Sequence, residues 1–308
     1  QLVVADGALN YVPFEALVTQ PTGADFASLP YLVQTNEIIY APSASVVAVL
    51  RRQARGAQGP QQMLLVADPI FDANDARVAG GAGDANGVAR GAEYRGLALG
   101  SAVADVMHTK PAKVRLTRLT GTRTEAQQIA QLARGVGAGA DVWLDGEASE
   151  DNVERRDLSR YRMLHFATHG LLDSERPQFT GLALAPAGAE AADGFLRVGE
   201  VFNLRLGSPL VILSACETGL GREKRGEGVI GLTRAFMYAG APTVGVSLWS
   251  VADKSTAELM PDFYQRLLKE PTTSAPAALR AAQQQMIAGR RYSAPFYWAP
   301  FIIAGDWK

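Results

Sequence analysis

Short runs of consecutive apolar residues recur along the chain, each closed by turn-forming or helix-starting residues. They are Met63 to Ala67, Ala140 to Leu144, Met163 to Thr168, Leu210 to Ala215, Thr243 to Trp249 and Phe301 to Ala304. Runs of this length with little polar alternation predict strands buried on both faces. Between most of them the apolar spacing changes to that of a helix. Thr124 to Arg134 opens with a Thr/Glu start, and Val229 to Tyr238 sets Val229, Leu232 and Phe236 at helical spacing before Gly240. Another helix is predicted to begin near Ser255, with a Ser-x-x-Glu box to Glu258, and Ala277 to Ile287 follows the loop holding Pro271 and Pro276. Strands alternating with helices predict an α/β fold, a mostly parallel sheet covered on both faces. In such a sheet the working residues gather beyond the carboxyl ends of the strands.

Three stretches read differently. Gly181 to Ala185 and Phe195 to Val198, separated by small residues around Gly188, suggest a hairpin rather than a full helix. Residues 1 to 50 form a preface, with apolar runs at Leu2 to Val4 and Glu37 to Tyr40 and a short helix through Arg51 capped by Ser43 or Ser45. Asp72 to Gly100 holds seven glycines, many alanines and Arg77, Arg90 and Arg95, and too few large apolar groups to bury much, which predicts a long mobile loop.

With 308 residues, of which 47% are hydrophobic, the chain can bury a substantial core. Thirty basic against thirty-one acidic side chains leave a net charge of -1, so there is no global basic field to hold nucleic acid or an anionic membrane. The longest charge-free stretch, Ala235 to Ala252, is interrupted by Gly240-Ala241-Pro242 and reads as a helix end, a turn and a strand, not a membrane span. The single cysteine, Cys216, excludes an intramolecular disulfide and points to a reducing, cytoplasmic setting. An opening at Gln1, without a basic leader or an apolar targeting core, suggests a domain excised from a longer polypeptide.

Two of the predicted strands end in reactive side chains. His165-Phe166-Ala167-Thr168-His169-Gly170 brings a histidine to a strand terminus, and Leu213-Ser214-Ala215-Cys216-Glu217-Thr218-Gly219 does the same with the lone thiol. If these strands are neighbours in a parallel sheet, sulfur and imidazole emerge face to face at one edge. A free thiol, with a pKa of ~8.5, is mostly protonated at neutral pH, and a nearby imidazole can take its proton. Cys216 is then a nucleophile and His169 its base and later general acid, with backbone N–H groups of Gly170 and Cys216 as oxyanion donors. By itself, a cysteine after an apolar strand is more often packed core. What favours nucleophile here is the spacing, 216 - 169 = 47, close to the separation of about 50 in caspases, although Ser214-Ala215-Cys216-Glu217-Thr218-Gly219 fits the caspase motif only in part.

Over its whole length the chain resembles the CHAT-domain peptidases, bacterial relatives of caspases and separase often found behind tetratricopeptide repeats. The matching text is Asp6-Gly7-Ala8-Leu9-Asn10-Tyr11-Val12-Pro13-Phe14-Glu15-Ala16-Leu17, the His169 and Cys216 segments, Gly240-Ala241-Pro242, Ser247-Leu248-Trp249-Ser250-Val251-Ala252-Asp253 and Pro300-Phe301. The resemblance implies a caspase-like three-layer α/β/α sandwich, with residues 1–115 as the N-terminal part and 116–308 as the catalytic core. It implies a His169/Cys216 dyad that cleaves protein or peptide substrates, control by a sensor or repeat domain, and no metal or organic cofactor for the bond-breaking step. It also implies an acidic residue at the bottom of the specificity pocket, matched here by Asp253, which would select a basic side chain, arginine above lysine, before the scissile bond.

Each of these residues has a competing structural reading. Asp253 is equally placed to cap a helix, although the Ser255/Glu258 box offers another cap. Ser247 and Trp249 are candidates to line the pocket, but a strand tryptophan is more often core. His165 shares strand parity with His169, yet four residues of strand separate the two by roughly 13 Å, too far for one metal ion. His108 carries no signal, Glu217 takes no catalytic role, and Arg222 to Glu227 reads as a solvated loop. Neither a serine elbow, a dinucleotide loop nor a phosphate loop is complete. Two other functions stay open: a catalytically silent caspase-like interaction module, and a small-molecule enzyme using the thiol. If the chain is a peptidase, the loop 72–100 is expected to be cut by the enzyme itself.

Overall fold

The computed structural model describes residues 1–20, 25–53, 62–72, 75–78, 98–111, 114, 116–173, 175–186, 192–214, 216–217, 227–249, 253–270 and 272–307. Its strands, in chain order, are β1 (Leu2–Val3), β2 (Ile39–Tyr40), β3 (Gln62–Pro69), β4 (Gly139–Asp145), β5 (Met163–Ala167), β6 (His169–Leu171), β7 (Gly181–Ala183), β8 (Phe195–Arg197), β9 (Leu210–Leu213), β10 (Cys216–Glu217), β11 (Thr243–Ser247) and β12 (Phe301–Gly305). Eight of them form one sheet in the order β1-β2-β12-β11-β9-β5-β3-β4. Neighbours are parallel throughout, except where β11 meets β12. The strand order reverses between β3 and β5, the kind of position beyond whose carboxyl ends open α/β sheets bind their ligands.

The helices are α1 (Leu32–Thr35), α2 (Ala44–Gln53), α3 (98–106), α4 (Thr120–Gly135), α5 (Glu150–Arg155), α6 (Val198–Val201), α7 (Glu227–Tyr238), α8 (Asp253–Lys269), α9 (Ala275–Ala288) and α10 (Pro295–Trp298). Alternate residues of each central strand serve opposite cores. Leu64, Val66, Leu164, Phe166, Val211 and Leu213 pack with Leu50 of α2, Val201 of α6 and Phe236 of α7. Met63, Leu65, Leu210 and Ile212 pack with Ile129 of α4, Phe263 of α8 and Leu279 of α9. This two-sided burial is why the strands read as unbroken apolar runs. The result is the expected three-layer sandwich, and all six predicted central strands are present within two residues of their expected ends.

Several details differ from expectation. Helix α4 opens at Thr120 rather than Thr124, because the Thr122 hydroxyl donates to Leu119 O at 2.7 Å and accepts the Asp68 N–H at 3.1 Å, tying the first turn to β3. Helix α8 opens at Asp253, so Ser255 lies buried inside its first turn and is not the cap that the Ser-x-x-Glu pattern suggested. In the preface Ser43 is the cap, its Oγ accepting the Val46 N–H at 3.1 Å. The stretch Ala235–Ala252 divides as expected into the end of α7, a turn at Gly240 with φ +115° and β11. Among the described residues no helix is long and apolar enough to cross a membrane.

The hairpin of β7 and β8 joins β6 and β10 in a second sheet, ordered β10-β6-β7-β8, that the sequence did not announce. Helix α3 and Phe71 lie against it, through Leu99, Val103, Leu171, Ala183 and Phe195. Within the segment expected to be a mobile loop, Asp72, residues 75–78 and 98–100 are described, the last three opening α3; the remainder, with Arg90 and Arg95, lies outside the described residues. So does most of the loop holding Arg222 to Glu227.

Candidate active site

The two chemistry-bearing strands are immediate neighbours. β5 and β9 pair in parallel from Met163↔Leu210 to Phe166↔Leu213, a constant offset of 213 - 166 = 47. The pairing of β5 with β9 stops there, and Thr168, between β5 and β6, donates its hydroxyl to Ala183 O on β7. Pairing then resumes between β6 and β10 with the same offset, joining His169 with Cys216 and Gly170 with Glu217. The spacing of 47 noted in the sequence is therefore the register of the ladder itself. Adjacent strands run about 4.8 Å apart, so the backbones of His169 and Cys216 are as close as two strand residues can be.

The His169 side chain is buried, 2% exposed, and packs against the Phe71 ring at 5.1 Å between centroids. Its Nε2 lies 2.7 Å from the carbonyl oxygen of Thr117. A carbonyl only accepts, so Nε2 carries the hydrogen and donates it, and in the neutral ring Nδ1 is the nitrogen able to accept a proton. Thr117 was not singled out in the sequence. Nothing in its identity marks it, because the group that acts is a main-chain carbonyl.

A charge cluster stands beside this arrangement at the carboxyl ends of β3 and β4. Asp68, fully buried and at φ +45°, receives Arg118 through Nε at 2.9 Å and Nη2 at 2.6 Å, Arg123 Nε at 2.7 Å and Arg77 Nη1 at 3.1 Å. Arg77 and Arg123 also bind Asp145, and Arg77 binds Asp75 at 2.6 Å. Burial alone would raise the Asp68 carboxyl, but hydrogen bonds from Arg118 and Arg123 and the charge of Arg77 outweigh it and hold its pKa below the ordinary carboxylate value. The hydrogen bonds from Arg77 bring Asp75 down to about 2.

The remaining candidates fall in different places. His165, fully buried, has Nδ1 3.0 Å from the Tyr264 hydroxyl of α8 and Nε2 3.1 Å from Glu125 Oε1 of α4. It therefore belongs between helices, away from the strand ends, as its strand separation from His169 suggested. Ser247 ends β11, buried, opposite Phe301. Trp249 packs against both cores and donates its indole N–H to Phe296 O at 3.2 Å. Asp253 is the first residue of α8, and Gly170 lies between β10 and β7. Elsewhere, the carboxylates of Glu150, Glu154 and Glu200 gather within 4.8 Å. Glu150 and Glu200 already accept the backbone N–H groups of Gly194 and Arg197, so the cluster is explained by local structure.

A 111-residue stretch, 36% of the chain, is 34% identical to Tetratricopeptide repeat protein 28 of Mus musculus and 36% identical to that of Homo sapiens, and spans 4% of the length of either relative. The Arg specific cysteine proteinase gingipain R has a similar fold, with a TM-score of 0.51 and 13% identity over 92% of this chain and 56% of that one. Separase in the Saccharomyces cerevisiae separase–securin complex gives a TM-score of 0.49 and 14% identity over 91% of this chain and 14% of that one. The CHAT domain family model matches residues 2–306, nearly the whole chain, so the chain belongs to the CHAT domain family.

Proposed function

We propose that the chain is a cysteine endopeptidase that cleaves protein substrates after a basic residue, arginine in preference to lysine. The observation that carries this reading is the register pairing of His169 with Cys216, together with the Thr117 carbonyl at His169 Nε2. In the proposed reaction the Cys216 thiol gives its proton to His169 Nδ1 and its sulfur attacks the scissile carbonyl carbon. Backbone N–H groups of Gly170 and Cys216 stabilise the oxyanion. Collapse breaks the C–N bond, the leaving amine takes the proton from Nδ1, and water hydrolyses the thioester with His169 as base. Asp253, at the opening of α8, selects the basic side chain, and Ser247 and Trp249 border the same pocket.

The similarity to tetratricopeptide repeat proteins supports control by a repeat domain. It equally favours a second reading, a silent interaction module on the same fold. Cleavage of an unbiased peptide library by this chain, with Cys216→Ala as control, tests the first: basic residues before every cut and no cutting by the variant are expected, and equal turnover by both proteins refutes it. An arginyl chloromethyl ketone that fails to alkylate Cys216 favours the second. Asp253→Asn is expected to depress arginyl cleavage without disturbing folding. Intact mass after incubation tests self-cleavage within 72–100, and an active protein that stays uncut counts against it.

A further inference from the structure

The charge cluster on Asp68 takes no part in the proposed chemistry, yet it is built around a residue that is costly to place. A non-glycine residue at positive φ and a fully buried carboxylate each need compensation. Three arginines supply it, and their roles divide. Arg77 and Arg123 bridge Asp68 to Asp145 and so join the ends of β3 and β4. Among the described residues Arg118 makes its hydrogen bonds to Asp68, Nε to Oδ1 and Nη2 to Oδ2, a bidentate fork with a fixed plane. By peptide connectivity Arg118 is the residue after Thr117, whose carbonyl holds His169. The segment 116–119 is neither helix nor strand, so no ladder fixes that carbonyl. On the sheet, meanwhile, the pairing of β3 with β5 ends at Ala67↔Ala167, one residue before Asp68 and two before His169.

We propose that Asp68 and Arg118 are positioning residues for His169. The fork pins the segment from β3 outward, keeps the Thr117 carbonyl on Nε2 and so holds the imidazole in the tautomer whose Nδ1 exchanges a proton with Cys216. The inference rests on the dyad reading for its consequence in catalysis, but not for its structural claim.

Arg118→Met is the informative variant, because Asp68 keeps Arg77 and Arg123 and no buried charge is left without a cation. Long-range proton–nitrogen NMR of the full chain reports the His169 ring tautomer whether or not the chain cleaves anything. Wild type is expected to show the Nε2–H form alone, Arg118→Met a mixture of both forms, and Arg118→Lys, with one contact in place of two, an intermediate mixture. For cleavage of an arginyl peptide, kcat in Arg118→Met is expected to fall on the order of 10- to 100-fold with KM little changed, and Arg118→Lys to recover part of it. A wild-type tautomer in folded Arg118→Met, or a loss carried by KM rather than kcat, overturns the proposal. Turnover indifferent to Cys216→Ala sinks the dyad instead, and the tautomer comparison still decides the clamp.

Discussion

Glu15 offers a quantitative test of how the preface is held to the sheet. It is 3% exposed, and its Oε2 accepts the Tyr40 hydroxyl at 2.6 Å, while that hydroxyl oxygen accepts the Phe14 N–H at 2.7 Å. Tyr40 belongs to β2, which pairs with β12, so this short relay docks residues 13–16 onto the main sheet. Burial raises the Glu15 carboxyl from 4.5 to about 7, outweighing the hydrogen bond from Tyr40. Because the folded value lies above the unfolded one, the group's contribution is complete below about 4.5 and is lost as pH rises through about 7. With these two values the loss is under about 1 kcal/mol at pH 5 and about 3 kcal/mol at pH 8. Glu15→Gln keeps an oxygen for Tyr40 and removes the titration. Urea unfolding followed by tryptophan fluorescence at both pH values should show the variant gaining about 2 to 3 kcal/mol on wild type between pH 5 and pH 8. Glu150, raised to about 7 mainly by burial, titrates in both proteins and leaves a shared slope. Parallel curves for the two proteins would mean that Glu15 is ionised within the fold, and the argument from burial would be refuted.

Phe166→Ala should cost about 3 to 5 kcal/mol in chemical denaturation, since Phe166 is fully buried on β5 and its ring meets Phe236 of α7 at 5.7 Å. Gly240→Ala should lower stability by roughly 2 kcal/mol or more, because φ is +115° and an added Cβ would stand 2.2 Å from Leu206 O; a thermal shift like that of an ordinary surface substitution would contradict it. Tyr264→Phe removes the hydroxyl from His165 Nδ1 and should cost about 1 to 3 kcal/mol, while the kinetics of any Cys216-dependent cleavage stay at the wild-type values; altered kinetics would give His165 more than a structural part.

Most of the central sheet was legible because its chemistry is written one residue at a time. A strand covered on both faces is apolar at most of its positions, so β3, β5, β9 and β11 announce themselves as apolar runs. Helix starts were less legible. Ser255 and Glu258 make a correct capping pattern, but α8 had already begun at Asp253 and buried the serine. The site shows the same division. The types and spacing of His169 and Cys216 marked them out, whereas Thr117 acts through a carbonyl that every residue has, and Asp68 meets Arg118 across 50 residues of chain.

The sequence by itself determined which segments become buried strands, the α/β class and the offset of 47 between His169 and Cys216. Local apolar pattern and residue type suffice for these. Only the tertiary structure decided that β5 and β9 are neighbours, that their pairing resumes in a second sheet with the offset intact, that the Thr117 carbonyl meets the imidazole and that an arginine fork meets Asp68. Those features depend on which distant segments meet, and burial selects that from the packing of the whole chain.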